Sequence, residues 1–347
     1  GNKTNLAARL MVAAQPGQIL CDEDLGRSAG NRWVFEPLPP LRVKGKAELV
    51  PVCQPVGRVT NDALAHVHAP LIGRQAELAR LTPLLEAVAA GALQVLLVEG
   101  EAGIGKSRLA LELGRLSRER GMTVLPGAGQ SIEQHTPYRA WRDVFHSFFD
   151  LGASAEPHEL EDRVRRQVTD LAPVQLEWLP LLDDILGLGW SDSEQTAALT
   201  PELRRQILFG LLRTLIQVRA QRHPLVVIME DAQWLDQLSW DLAATLAGDP
   251  RLAGSPLLLV LVTRPAAESD SFSRALAALR ALPQATTMTL GTLSPDETVA
   301  LAATRLGLPA DGLPAEGGEL VRRRSQGNPF FAGPDSFDGI LRRSEGL

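Results

Sequence analysis

The run Gly100-Glu-Ala-Gly-Ile-Gly-Lys-Ser107 fits G-x-x-x-x-G-K-[ST], a spacing that suits a phosphate cradle. Gly100, Gly103 and Gly105 let successive backbone N–H groups turn inward around phosphate oxygens, and the N-terminus of a following helix adds partial positive charge. Lys106 would bridge the β- and γ-phosphates, and the Ser107 hydroxyl would face Mg²⁺. Such a loop needs acid on a neighbouring strand. The apolar run 225–229 ends in Glu230-Asp231, where one carboxylate would hold Mg²⁺ and the other polarise an attacking water. The residues leave open which acid takes which task. A further apolar run, 257–262, ends in Thr263-Arg264, and an arginine at that level would sense the γ-phosphate.

These residues need elements to hold them. Short apolar runs at 93–98, 123–127, 225–230, 257–263 and 286–290 alternate with helical stretches, the pattern of a parallel sheet covered on both faces. A helix follows the glycine loop with Leu109, Leu113 and Leu116 on one face. Another is placed by Thr200 as cap and Pro201 at the first position, with Leu203, Ile207, Leu211, Leu215 and Val218 at helical spacing. It feeds the chain into the strand that ends in Glu230. Helical segments at 295–306 and 319–324 follow. The fold class expected is α/β, a P-loop NTPase with a parallel sheet and helical lid, preceded by an incomplete α+β unit.

Composition bounds the alternatives. At 347 residues the chain has room for about two domains. No run of about 18 apolar residues predicts a membrane span. Cys21 and Cys53 lack metal spacing, while His66 and His68, at H-x-H spacing, have no nearby thiol or paired acid to complete a site; a cytoplasmic location is expected. A net charge of −6 argues against a nucleic-acid-coating surface. Of 35 basic residues only Lys3, Lys44, Lys46 and Lys106 are lysines, which singles them out as point-charge candidates. Trp141, Trp178 and Trp190 read as core of a helical insertion, and Arg322–Arg324 as a solvated helix end.

LIGRQAELARL, GEAGIGKSRLALEL, PYRAW, VVIMEDAQWLD, LVTRP and GNPFF, in that order over about 71–331, resemble the STAND class of P-loop ATPases, signalling relatives of the AAA proteins. The resemblance implies ATP with Mg²⁺ as a conformational switch reset by slow hydrolysis. It makes Glu230 and Asp231 the Walker B pair and Thr263-Arg264 the sensor. It also implies that Ile72-Gly73-Arg74 and Pro329 help to enclose the adenine. The ATPase core is expected over 71–290 and a truncated lid over 291–347, whose tail after Phe331 lacks the helix that usually continues from GNPFF.

Residues 1–57 alternate a helix with short β-type runs at 18–21, 33–35 and 49–52, and 58–70 read as a linker. Asn5 and Arg9, four apart, share a helix face on which an amide and a guanidinium could meet a ribose and a phosphate. NLAARL, AAQPGQIL and FEPLPPLRVKGKAELVPVCQP resemble the C-terminal part of a class III adenylate/guanylate cyclase catalytic domain. That resemblance implies that Asn5 and Arg9 orient the substrate as the ribose 3′-oxygen attacks the α-phosphate. It makes Lys44, with Lys46 second, the triphosphate-binding lysine. The two metal-binding aspartates of that mechanism precede the point where this sequence begins. Asp22, Glu23 and Asp24 stand instead in a helix-start context.

The expectation is therefore an ATP-binding fragment of a cyclase regulated by a STAND ATPase, with no cyclase activity of its own. In the complete protein it would dimerise through the cyclase domain and answer an unknown protein or small-molecule signal. The alternative is an ATP-dependent transcriptional regulator whose DNA-binding domain lies outside this sequence.

Overall fold

The computed structural model describes residues 2–15, 18–23, 25–26, 33–43, 49–58, 71–152, 156–267, 270–309 and 311–332. The chain divides into two units, Gly1–Ala69 and Pro70–Leu347.

In the first unit, helix α1 (Asn2–Ala13) precedes three strands, β1 (Cys21–Asp22), β2 (Trp33–Leu41) and β3 (Val50–Arg58), in the antiparallel order β1-β3-β2. β2 runs well beyond the expected 33–35. Its register breaks between Leu38 and Leu41, across Pro39 and Pro40, because proline has no N–H to give the ladder. Leu10, Val43, Val50 and Val52 form a small buried cluster. Asp22 accepts the Leu25 N–H at 2.9 Å, in keeping with a helix-start role for that acidic run. Cys21 and Cys53 face each other across β1 and β3 as buried free thiols.

In the second unit, helix α2 (Gln75–Ala89) leads into β4 (Gln94–Glu99), α3 (Lys106–Glu119), β5 (Thr123–Ala128), α4 (Arg139–Phe148) and α5 (Pro157–Leu171). A 3₁₀ stretch, Pro173–Leu182, and two single-turn helices lead to α6 (Pro201–Arg222), β6 (Leu225–Glu230), α7 (Gln237–Gly248) and β7 (Leu257–Thr263). Then come α8 (Ser273–Arg280), β8 (Ala285–Thr289), α9 (Pro295–Arg305), α10 (Ala315–Ser325) and a 3₁₀ turn, Pro329–Ala332. The five strands form one parallel sheet in the order β5-β6-β7-β4-β8. This is an α/β P-loop NTPase fold.

The strands are apolar throughout because both faces are covered. Val95 and Leu97 lie in one core while Leu96 and Val98 lie in the other, the two-residue period of a strand dividing a single run between two layers. One layer packs Leu81, Leu85 and Val88 of α2 and Leu109 and Leu113 of α3. The other takes α4, α6, α7 and the helical insertion around Leu179–Leu186. Trp141 is fully buried there, and Trp178 and Trp190 pack against the same core.

Thr200 caps α6 by accepting the Leu203 N–H at 3.3 Å, with Pro201 at the first position. The apolar stripe starts later than the spacing predicts. Leu203 is exposed, and the buried face runs through Leu208, Leu211, Leu212, Leu215 and Ile216. The first turn is held instead by Arg204, which bonds to Asp184 and Asp192 of the insertion at 2.7 and 2.8 Å. The predicted helices at 295–306 and 319–324 appear as α9 and α10, and all three of Arg322–Arg324 are exposed.

Candidate functional site

In a parallel sheet the C-terminal strand ends share one edge, where open α/β folds bind ligands. Glu99 of β4 pairs in register with Thr263 of β7, and Met229 of β6 with Leu261. The glycine loop after β4, Glu230-Asp231 after β6 and Arg264 after β7 therefore emerge together. The acids are not on the strand adjacent to β4. β7 lies between β4 and β6, so the strand that ends in Thr263-Arg264 separates the loop strand from the acid strand. Spacing along the chain carries no strand order, and that is why the expected adjacency fails.

Gly103 and Gly105 adopt φ of +76° and +99°, conformations that glycine enters without the Cβ penalty. Gly105 caps α3 from this left-handed turn, which starts the helix at Lys106. Lys106 is buried, 8% exposed, and its ammonium donates to the Gly100 and Glu101 carbonyls at 2.7 and 2.9 Å. Burial lowers the Lys106 pKa, Asp231 opposes that shift, and Arg264 reinforces it. Lys106, Asp231 and Arg264 thus share one electrostatic environment. Ser107 and Arg264 are exposed, and Glu230 and Asp231 are half-buried.

Sequence reasoning missed Gln233. Its Nε2 donates to Asp231 Oδ1 at 3.1 Å, and its Oε1 accepts the Arg264 N–H at 3.2 Å. One amide thereby ties the acid turn to the turn at Arg264. Asp231 itself holds a left-handed φ of +50°, and the following Asp236 caps α7 by accepting the Ser239 N–H at 3.0 Å. The run MEDAQWLD thus combines acids with a helix start.

Asn328 was also missed: its Nδ2 donates to the Ala102 carbonyl at 3.1 Å, which brings the GNPFF segment onto the glycine loop. A Cβ on Gly103 would stand 2.6 Å from Phe330 Cβ, and one on Gly105 would stand 3.9 Å from Pro329 Cγ. Pro329 is buried, and its carbonyl accepts from Arg305 of α9 at 2.7 Å. Gly73, at φ +70°, packs where a Cβ would meet Glu297 Oε1 of α9 at 2.7 Å. Arg74 is buried and left-handed. Its guanidinium donates to the Ile104 and Gly291 carbonyls at 3.0 and 2.6 Å and pairs with Glu77 at 2.9 Å. Gly73, Arg74 and Pro329 therefore gather around the loop with α9. The Arg74 guanidinium is engaged with backbone carbonyls on either side of it.

Helix α1 sets Asn5 and Arg9 one turn apart, and Arg9 is half-buried; the Asn5 side chain lies outside the described residues. Lys44, Lys46, His66, His68 and the tail after Ala332 lie outside them as well.

Fold and site define a P-loop nucleotide-binding unit with a glycine loop, a lysine, a pair of strand-end acids and a strand-end arginine on one sheet edge. Residues 70–260 match the model of the AAA ATPase domain family, and the chain belongs to that family. An uncharacterized protein of Rhizobium meliloti is 30% identical over 76% of this chain and 26% of its own length. Adenylate cyclase type 10 of Oryctolagus cuniculus is 22% identical over 95% of this chain and 20% of its own length. The human adenylate cyclase type 10 is 23% identical over 69% of this chain and 15% of its own length. The chain thus spans about a quarter or less of the length of these relatives. Among solved structures, the Aeropyrum pernix ORC1 protein in complex with DNA aligns with a TM-score of 0.43 at 16% identity, covering 79% of this chain and 61% of that one. Cdc6p of Pyrobaculum aerophilum aligns with a TM-score of 0.42 at 11% identity, covering 79% of this chain and 63% of that one. Among the described residues no helix is long and apolar enough to cross a membrane.

Proposed function

We propose that the chain is the ATP-switched module of a STAND-type signalling protein, joined at its N-terminal side to the end of a class III cyclase domain. The observation that carries the switch is the convergence of Lys106, Asp231 and Arg264 at one sheet edge, with Asn328 of the lid segment bonded to the same loop. The glycine loop binds the phosphates through backbone N–H groups, Lys106 takes the β/γ oxygens, and Arg264 reads the γ-phosphate. Mg²⁺ needs only one or two protein carboxylates when phosphate oxygens and water complete its shell. Ser107 with Glu230 or Asp231 fits that need, and the bound ion would neutralise charge on the transferred phosphoryl group. The remaining acid orients the attacking water. Pro329, Gly73 and Arg74 lie where α9 and the glycine loop meet, so ATP bound there would set the lid position.

The cyclase reading is supported by the alignment with adenylate cyclase type 10 over 95% of this chain. In that reading Asn5, Arg9 and Lys44 belong to a half-site completed by a homodimer in the whole, cytoplasmic protein. The test is a paired product assay on the purified chain with ATP and Mg²⁺. We expect slow phosphate release, lost when Glu230→Gln and Asp231→Asn are combined, and no cyclic nucleotide. Turnover that survives the double substitution would remove the proposed hydrolytic site. Cyclic AMP made by the chain alone would overturn the half-site.

A further inference from the structure

A groove of about 510 Å³ opens between α6 and α7, formed by different residues from the phosphate loop. One wall is the α6 face carrying Arg205, Phe209 and Arg213 at successive four-residue steps. The other carries Asp241 of α7 and, beyond its end, Asp249 and Arg251. Three guanidinium groups thus line the groove against two carboxylates.

The carboxylates are unevenly shared. Arg251 takes both Asp249 oxygens, with Nε on Oδ1 at 2.9 Å and a terminal nitrogen on Oδ2 at 2.7 Å, and its backbone N–H also bonds to Oδ1. Arg213 reaches the same carboxylate only through its buried Nε, 3.4 Å from Asp249 Oδ2 and outside hydrogen-bond geometry. A 3.5 Å contact from a terminal nitrogen to Gln217 is its other polar interaction. Arg205 stands 3.9 Å from Asp241, too far for a hydrogen bond. A guanidinium has five donors and no acceptor, so Arg213 is a largely buried cation with unmet donors beside open space. Burial and the Arg251 charge both work against its charged state. The space is kept open by Gly210, on the same wall, where an added Cβ would meet nothing within 4 Å.

We propose that this groove is a second ligand site, for a small organic oxyanion, a carboxylate or a phosphoryl group held by Arg213 and Arg205. The anion supplies acceptors for the terminal nitrogens of Arg213, whose one bond is the 3.5 Å contact to Gln217, and balances the excess guanidinium, while Phe209 and Gly210 leave an apolar floor for its carbon skeleton. The two walls are the helices on either side of the acid strand β6, one leading into it and one following it.

The test uses the full chain carrying Lys106→Ala, so that phosphate reports on the groove and not on the glycine loop. Inorganic phosphate and succinate are titrated separately and followed by calorimetry. We expect saturable binding of at least one probe. It should weaken about tenfold or more with Arg213→Met, the loss expected for a charge-assisted hydrogen bond. Gly210→Leu fills the open space and improves the helix interior, so it should abolish binding in a chain that stays folded. Binding of phosphate alone identifies a phosphoryl ligand, and binding of succinate alone a carboxylate. If neither probe binds, or if binding persists unchanged in Gly210→Leu, the site does not exist as proposed.

Discussion

Replacing Lys106 with alanine separates nucleotide binding from folding, and the geometry fixes how large each effect should be. The ammonium spends two of its three donors on the Gly100 and Glu101 carbonyls, at 2.7 and 2.9 Å, and one remains for a phosphate oxygen. A hydrogen bond from a charged donor contributes about 1.5–3 kcal/mol, so ATP affinity should fall about 10- to 150-fold. Stability without nucleotide should change little, by about 1 kcal/mol, because the lost loop bonds are offset by removal of a buried cation. Calorimetric titration with ATP-Mg²⁺ measures the first quantity and a denaturant melt the second. A proton signature accompanies them. Burial holds Lys106 below its ordinary value of 10.5 in the free protein, and bound phosphates raise it again. Binding in the alkaline range should therefore take up a proton, and affinity should decline as pH climbs through the lowered value. Lys106→Ala should erase that uptake. If the variant binds ATP as tightly as the parent, the phosphate site lies elsewhere and the account of the edge fails.

Two tryptophans should answer differently to the same change. Trp141 donates Nε1 to the Ser239 carbonyl at 3.0 Å, a second bond to a carbonyl inside α7, so Trp141→Phe should cost about 0.5–1.5 kcal/mol beyond lost packing. Trp240 stacks on Phe272 at 5.6 Å with its Nε1 buried and unpaired, so Trp240→Phe should cost clearly less in the same urea titration. The Tyr138 hydroxyl is pushed up to about 12, chiefly by burial, whereas an unfolded tyrosine ionises near 10. Between those values the unfolded state has released a proton that the folded state keeps, so stability should fall as pH rises. Tyr138→Phe should flatten that decline in melts taken across the range.

What the sequence makes legible here is what neighbouring residues do to one another. Gly103, Gly105 and Lys106 act through backbone turns within a single loop, and the β4 and β6 runs are apolar because each is covered on both faces. Both signals are local. Gln233 shows the limit: its amide joins Asp231, two residues away, to Arg264, 31 residues away, and nothing in AQW announces the second partner. The same holds for Arg280 with Glu99 and for Asn328 with Ala102, across 181 and 226 residues. Strand order belongs to this class too. The placing of β7 between β4 and β6 depends on which crossovers the helices make, and hydrophobic runs are silent on that.

Gly103 shows how a motif position can carry more than its motif. Its φ of +76° suits a phosphate turn, and glycine would be chosen there for that alone. Yet an added Cβ would also stand 2.6 Å from Phe330 Cβ and 3.1 Å from Asn328 Oδ1, atoms that belong to the lid segment. The missing side chain therefore does two things: it frees the loop backbone to curl around phosphate, and it lets the GNPFF turn sit directly on that loop. In the proposed switch, a nucleotide that tightens the loop would press on Asn328 and Phe330, and through the Pro329 carbonyl on Arg305 of α9. In that proposal the bare Cα that suits the phosphate turn is also the point at which occupancy of the loop would be felt by the GNPFF turn.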